Sequence, residues 1–152
     1  MTLGRLANGM LLLLGVEFVL GTVLGLFVTL PSGAGVVAVL SSSIVLELHI
    51  VVAVLLIGIS IRALALSVGR PDWTVRYAAA LALVSALTAT LAGWVFAFDG
   101  QNPNASLVMA LGFLGVLGGA FLLRDRASEP GRRVRPDSAT REQPAASTEV
   151  GR

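Results

Sequence analysis

Residues 42–66 read SSIVLELHIVVAVLLIGISIRALAL, and this stretch decides the fold. From Ile50 to Ile61 no side chain is charged. The whole run is long enough to cross the roughly 30 Å hydrocarbon core of a bilayer, which takes about 20 residues of helix. Arg62, near its end, can extend its charge to the headgroups while its stem stays in oil. Two side chains contradict the apolar pattern, Glu47 and His49. An ionisable group at membrane depth is costly enough to be read as functional by default.

Three further stretches of the same kind surround it. One runs from about residue 8 to 30 and ends at Pro31-Ser32-Gly33; the next covers about 75–98, between Pro71-Asp72-Trp73 and Asp99-Gly100. The last covers about 105–123 and stops at Arg124-Asp125-Arg126. Trp73, Tyr77 and Trp94 fall near the ends of the third span, where aromatic belts form at membrane interfaces. Residues 36–40, Val-Val-Ala-Val-Leu, fit either an extension of the second helix or a short interfacial segment. The first span is too long for the apolar region of a signal peptide and contains Glu17, so cleavage is not expected.

Composition agrees with this reading. The chain is 55% apolar and only 13% charged, with mean hydropathy +0.85; soluble domains carry about 25% charge. There is no cysteine and a single histidine, which excludes disulfides, thiolate chemistry and His-rich metal cages. All eleven basic residues are arginine, which suggests GC-rich coding and a prokaryotic source. Residues 1–123 are neutral, and the tail 124–152 carries seven arginines against five acids. No aromatic residue interleaves those arginines, so nucleic acid is not an expected partner. The tail, rich in Pro, Ser, Arg and Glu, reads as a disordered cytoplasmic segment.

The expected fold is therefore all-α: four antiparallel transmembrane helices, up-down-up-down, followed by the tail. Arg5, the loop with Arg62, Arg70 and Arg76, and the arginine tail all fall on one side, so both termini are expected in the cytoplasm of a cell with this protein in its inner membrane. The second and fourth spans align without gaps over eleven residues, HIVVAVLLIGI against SLVMALGFLGV, with Ala53 opposite Ala110 and Gly58 opposite Gly115. Such a two-span repeat predicts a pseudo-two-fold axis along the membrane normal. Where the first copy has His49, the second has Ser106.

Three ionisable positions lie within the spans. Glu17 sits about nine residues into the first, roughly 14 Å from its inner end. Gly21 and Gly25 follow on the same face, where small residues let another helix approach. Glu17 reads either as a protonated carboxyl hydrogen-bonded to Ser85 or Thr88, or as a proton-exchanging or cation-binding group. Glu47 and His49 lie about 200° apart around a regular helix and cannot form a local pair. His49 lies about 20 Å above the inner edge, on a face with Ser42, Ala53 and Ser60. It reads as a structural histidine, a haem or metal ligand, or a proton relay. Glu47 is higher and within reach of water, a second candidate for a proton or ion site. Gly115 and Gly119 form another small-residue packing face. No Walker loop, zincin helix, nucleophile elbow or catalytic carboxylate pair is present, so no catalytic residue is assigned and an enzyme acting alone is not expected.

At His49-Ile-Val-Val-Ala53, preceded by Gly21-Thr22 in the span before, the chain resembles one half of the haem A synthase family. The resemblance covers about residues 10–123. It implies a four-helix bundle holding haem between histidines near the outer ends of its second and fourth helices, with His49 as an axial ligand. This sequence departs from the family where Glu47 stands two residues before His49 instead of three, where Ile50 follows the histidine, and where Ser106 replaces the second one. A six-coordinate haem would then need His49 from a partner chain. A fainter likeness, Val16-Glu17 with Gly21-Thr22 beyond, is to the small multidrug transporters, although the aromatic residues of their drug pocket have no counterpart. Three functions follow as expectations: a haem-binding accessory protein of the respiratory membrane, a non-catalytic assembly subunit acting in a homodimer or larger membrane complex, or a small proton-coupled transporter using Glu17.

Overall fold

The structure is a computed structural model and describes residues 2–31, 35–99 and 101–128. Among these, every regular element is helical: α1 (Leu3–Phe27), α2 (Val36–Leu40), α3 (Ile44–Val68), α4 (Trp73–Phe98) and α5 (Pro103–Ser128). Four of the five are long and apolar enough to cross a membrane, with 25 or 26 residues each. At 1.5 Å per residue each is roughly 38 Å long, so the ends reach past the hydrocarbon into the headgroup layers.

These helices are apolar on all sides, as helices solvated by lipid are. Leu26 is 72% exposed and Leu91 71%, and a surface this rich in large apolar side chains is unsuited to water. The chain is a small multi-pass membrane protein. Its helices form a closed ring, α1 against α3, α3 against α4, α4 against α5, and α5 back against α1. The order is that of an up-down-up-down bundle.

Helix starts follow from local chemistry. The Ser43 hydroxyl accepts from the Val45 N–H at 3.2 Å and caps α3. The Asp72 carboxylate does the same for α4 through the Thr74 N–H at 2.9 Å. Pro103 opens α5 at the position where its missing N–H costs nothing, with the Asn102 side chain accepting from the Asn104 N–H at 2.9 Å. The serines at 41–43 also separate residues 36–40 from α3, so α2 is a helix of its own. Its Val39 is buried and lies over the end of the bundle with Leu30, Leu46 and Phe96.

The two ends of the bundle are tied differently. At the terminal end, the Arg126 guanidinium pairs with Asp72 at 3.6 Å, and Gly4 faces the Ala127 methyl. At the far end, the Gln101 side-chain amide donates to the Val28 carbonyl at 2.9 Å. The helix α5 continues through residues 124–128, beyond the boundary expected for the fourth span. The tail expected to be disordered lies, from residue 129, outside the described residues.

Two helix faces differ from their expected form in an instructive way. The inward seam of α1 runs Leu3, Ala7, Met10, Leu14, Glu17, Gly21, Leu24, with Glu17 and Gly21 half-buried and the rest buried, alternating steps of four and three as in a left-handed bundle. That 3.5-residue period carries the seam to Leu24. Gly25, expected to pack, is exposed with nothing within 4 Å of where a Cβ would stand. The tightest packing lies instead between α4 and α5, where Gly112, Gly115 and Gly119 sit on Ala78, Ala82, Ser85 and Ala89. Gly58, aligned with Gly115 in the repeat, has no such neighbour. The two halves pack by different means.

Candidate functional site

The core is divided. A larger apolar cluster fills the terminal half, from Leu3, Met10 and Leu14 across to Val52, Leu56, Ala82, Val116 and Leu123. A smaller one fills the far end, with Leu24, Leu30, Val39, Leu46, Phe96 and Ala105. Between them on α1 stand Glu17 and Gly21, and on α3 His49. A polar layer thus interrupts the oil of the bundle on the α1–α3 side.

Glu17 and His49 meet there. The imidazole Nδ1 lies 3.3 Å from the carboxyl Oε1, with the His49 side chain only 19% exposed and that of Glu17 14%. Gly21, one turn beyond Glu17, faces the same ring, with the His49 Cε1 3.5 Å from where its Cβ would be. The approach of Nδ1 is off-line for a hydrogen bond, and Nδ1 and the carboxyl Oε2 are both buried without a hydrogen-bond partner among the described residues. His49 Nε2 is not among the buried atoms left without a partner. The pair is therefore close, mostly shielded, and incompletely satisfied. In either of its neutral forms, carboxylate with imidazolium or carboxylic acid with imidazole, it holds one proton for two groups.

Glu17 does not hydrogen-bond to Ser85 or Thr88. Ser85 lies in the α4–α5 contact opposite Gly115, and the Thr88 hydroxyl donates to Val84 of its own helix at 2.9 Å. Glu47 is exposed in the first turn of α3, where the positive end of the helix dipole suits a carboxylate, and takes no part in the pair. Ser60, on the His49 face, is fully buried and satisfied internally, donating to the Leu56 carbonyl at 2.7 Å. Among the described residues no three His, Asp or Glu side chains come together to hold a metal ion.

The pairing itself is the feature that the spacing within each span does not reveal. Its signal lay in depth. Glu17 at roughly 14 Å and His49 at roughly 20 Å above the same edge differ by about one helical turn, in adjacent antiparallel helices, and two side chains can bridge that interval. The glycine at 21 makes room for the ring. Gly21→Ala should be tolerated, since its methyl would stand in ordinary contact with Cε1. Gly21→Leu should displace His49 from Glu17, which histidine ring NMR shifts would report; unchanged shifts would show that the glycine is incidental.

No protein-family model matches the chain, and neither a curated protein nor a solved structure matches it significantly. The functional reading therefore rests on the geometry of this layer.

Proposed function

We propose that this is a small proton-coupled membrane protein whose working centre is the Glu17–His49 pair. The observation that carries the reading is the 3.3 Å approach of these two groups across adjacent helices, in a polar layer between two apolar clusters. Ionisable residues at such depth face the bundle interior, pair with each other and mark proton or ion paths. A purely structural role would be served as well by an apolar pair.

The chemistry needs no other group. A proton arriving at His49 Nε2 makes the ring an imidazolium, and once the ring turns to bring Nδ1–H into line, the Nδ1 proton passes to Glu17 Oε1. The ring is left neutral and the carboxyl protonated. Both side chains bridge α1 and α3, so a change in proton number alters the attraction between those helices. This is the coupling that a proton-driven conformational step requires.

A second reading, a haem held as in the haem A synthase family, meets two difficulties. Ser106, the counterpart of the missing histidine, is exposed on α5, and the interval between α3 and α5 is filled by packed side chains such as Val52, Leu56 and Val116. In its favour, a histidine whose Nδ1 faces a carboxyl is oriented as metal-bound histidines often are. A haem would then lie outside the bundle, with its second ligand from another chain.

The deciding experiment is infrared difference spectroscopy of the full chain in liposomes across a pH step. The expected result is a protonated-carboxyl C=O band that disappears in Glu17→Gln and shifts in His49→Gln. A band that persists in Glu17→Gln, or no band over the accessible pH range, overturns the proton reading. The reduced-minus-oxidised visible spectrum of the same sample, expressed with haem supplied, tests the second one.

A further inference from the structure

The two ends of the bundle carry opposite charge. Among the described residues the terminal end bears Arg5, Arg62, Arg70, Arg76, Arg124 and Arg126 against Asp72 and Asp125, whereas the far end bears Glu47 and Asp99 and no basic side chain. Part of the positive charge is used within the chain. Arg126 pairs with Asp72, and Arg76 donates to the Arg70 carbonyl. Arg5, Arg62, Arg70 and Arg124 make no ion pair with any described residue.

Arg124 is placed where a lipid headgroup would be. It lies 21 residues after Pro103 in one helix, or roughly 32 Å along it, about the thickness of the hydrocarbon core. Phe121, about 4.5 Å deeper on α5, is 53% exposed and faces the acyl-chain region. Between them is a shallow depression of about 230 Å³ lined by Phe121, Arg124, Asp125 and Ser128. Along α5 the ring of Phe121 lies deeper than the guanidinium of Arg124, the order in which a phospholipid presents chain and phosphate. Gly4 meets Ala127 on another face of α5, which sets Arg5, the next residue of α1, at the same end of the bundle. Asp125 also lines the depression, so attraction for a phosphate rests on the summed charge of this end and not on Arg124 alone.

We propose that this corner is a binding site for an anionic phospholipid, its acyl chain against Phe121 and its phosphate diester at Arg124, with Arg5 adding to the field. The site is independent of the Glu17–His49 layer, which lies deeper and on the α1–α3 side. A headgroup with one negative charge and no ammonium, of the phosphatidylglycerol type, suits a positive end better than a zwitterionic one. Basic side chains near a membrane surface each strengthen such binding about fivefold.

The test is native mass spectrometry of the full chain released from mixed vesicles of phosphatidylglycerol, phosphatidylethanolamine and phosphatidylcholine. Wild type should retain phosphatidylglycerol in preference to both zwitterionic lipids. Arg124→Gln should lower that preference about fivefold, Arg124→Lys should keep most of it, and Phe121→Ala should weaken retention of all three lipids alike. These positions are exposed, and circular dichroism confirms that each variant keeps its helices. Equal retention of the three lipids, preference for phosphatidylethanolamine, or an Arg124→Gln variant indistinguishable from wild type would overturn the proposal. So would displacement of the lipid by water-soluble glycerol phosphate at equal concentration, which would assign the corner to a free phosphate ester.

Discussion

Gly119→Ala is expected to lower the stability of the bundle by about 1–3 kcal/mol, while Gly118→Ala, one residue away, leaves it unchanged or raises it by up to about 1 kcal/mol. The difference lies in what a methyl group would meet. At Gly119 it would stand 2.7 Å from the Ala78 carbonyl oxygen and 2.9 Å from the Ala82 Cβ, whereas at Gly118 nothing lies within 4 Å. The obstacle at Gly119 is partly backbone, which no rotamer change relieves. Gly112 is in a similar position, 2.8 Å from the Ala89 Cβ and 2.9 Å from the Ser85 carbonyl oxygen, so Gly112→Ala should behave like Gly119→Ala. In lipid, helices are not driven together by the hydrophobic effect, and close backbone approach supplies much of what holds them. Parting α4 from α5 therefore removes a main source of association. Loss of helicity on titration with a denaturing detergent measures the effect, and equal midpoints for Gly118→Ala and Gly119→Ala would rule out the tight α4–α5 contact.

Those two glycines also mark how far the sequence could be read. The four spans are legible because hydropathy, proline and charge all change at their ends, as at Pro31, Pro71-Asp72 and Asp99-Gly100. Residues 36–40 are not, since five apolar residues fit a helix end or a separate turn equally well. The capping hydroxyl of Ser43 selects the second. In an all-apolar helix the side facing the bundle leaves no trace in polarity, so Gly118 and Gly119 look alike until α4 is in place. The same ambiguity made Gly25 a packing candidate on a 3.6-residue face, where the α1 seam follows a 3.5-residue period to Leu24. For the site, each ionisable residue stood out by its cost in oil. Their pairing required knowing which helices are neighbours and at what height.

Glu17 and His49 should prove separable in stability and function, and a double-mutant cycle shows how. His49→Leu leaves the Glu17 carboxyl among apolar neighbours without its nearest polar group, at a cost of about 1–3 kcal/mol. Glu17→Leu leaves the imidazole similarly alone, although the greater exposure of His49 moderates the loss. The double Glu17→Leu/His49→Leu variant removes both unsatisfied groups and joins the two apolar clusters, and should return close to wild-type stability. The coupling energy of the cycle is then the sum of the two single losses, at least about 1–3 kcal/mol, at or above the upper end for polar pairs between membrane helices. Proton exchange, by contrast, should be absent from all three variants. A pair kept for architecture would give the opposite pattern, with the double variant the least stable of the set. Leucine at both positions serves the architecture about as well as the pair does, so stability kept with proton exchange lost is the outcome that separates a working pair from a structural one.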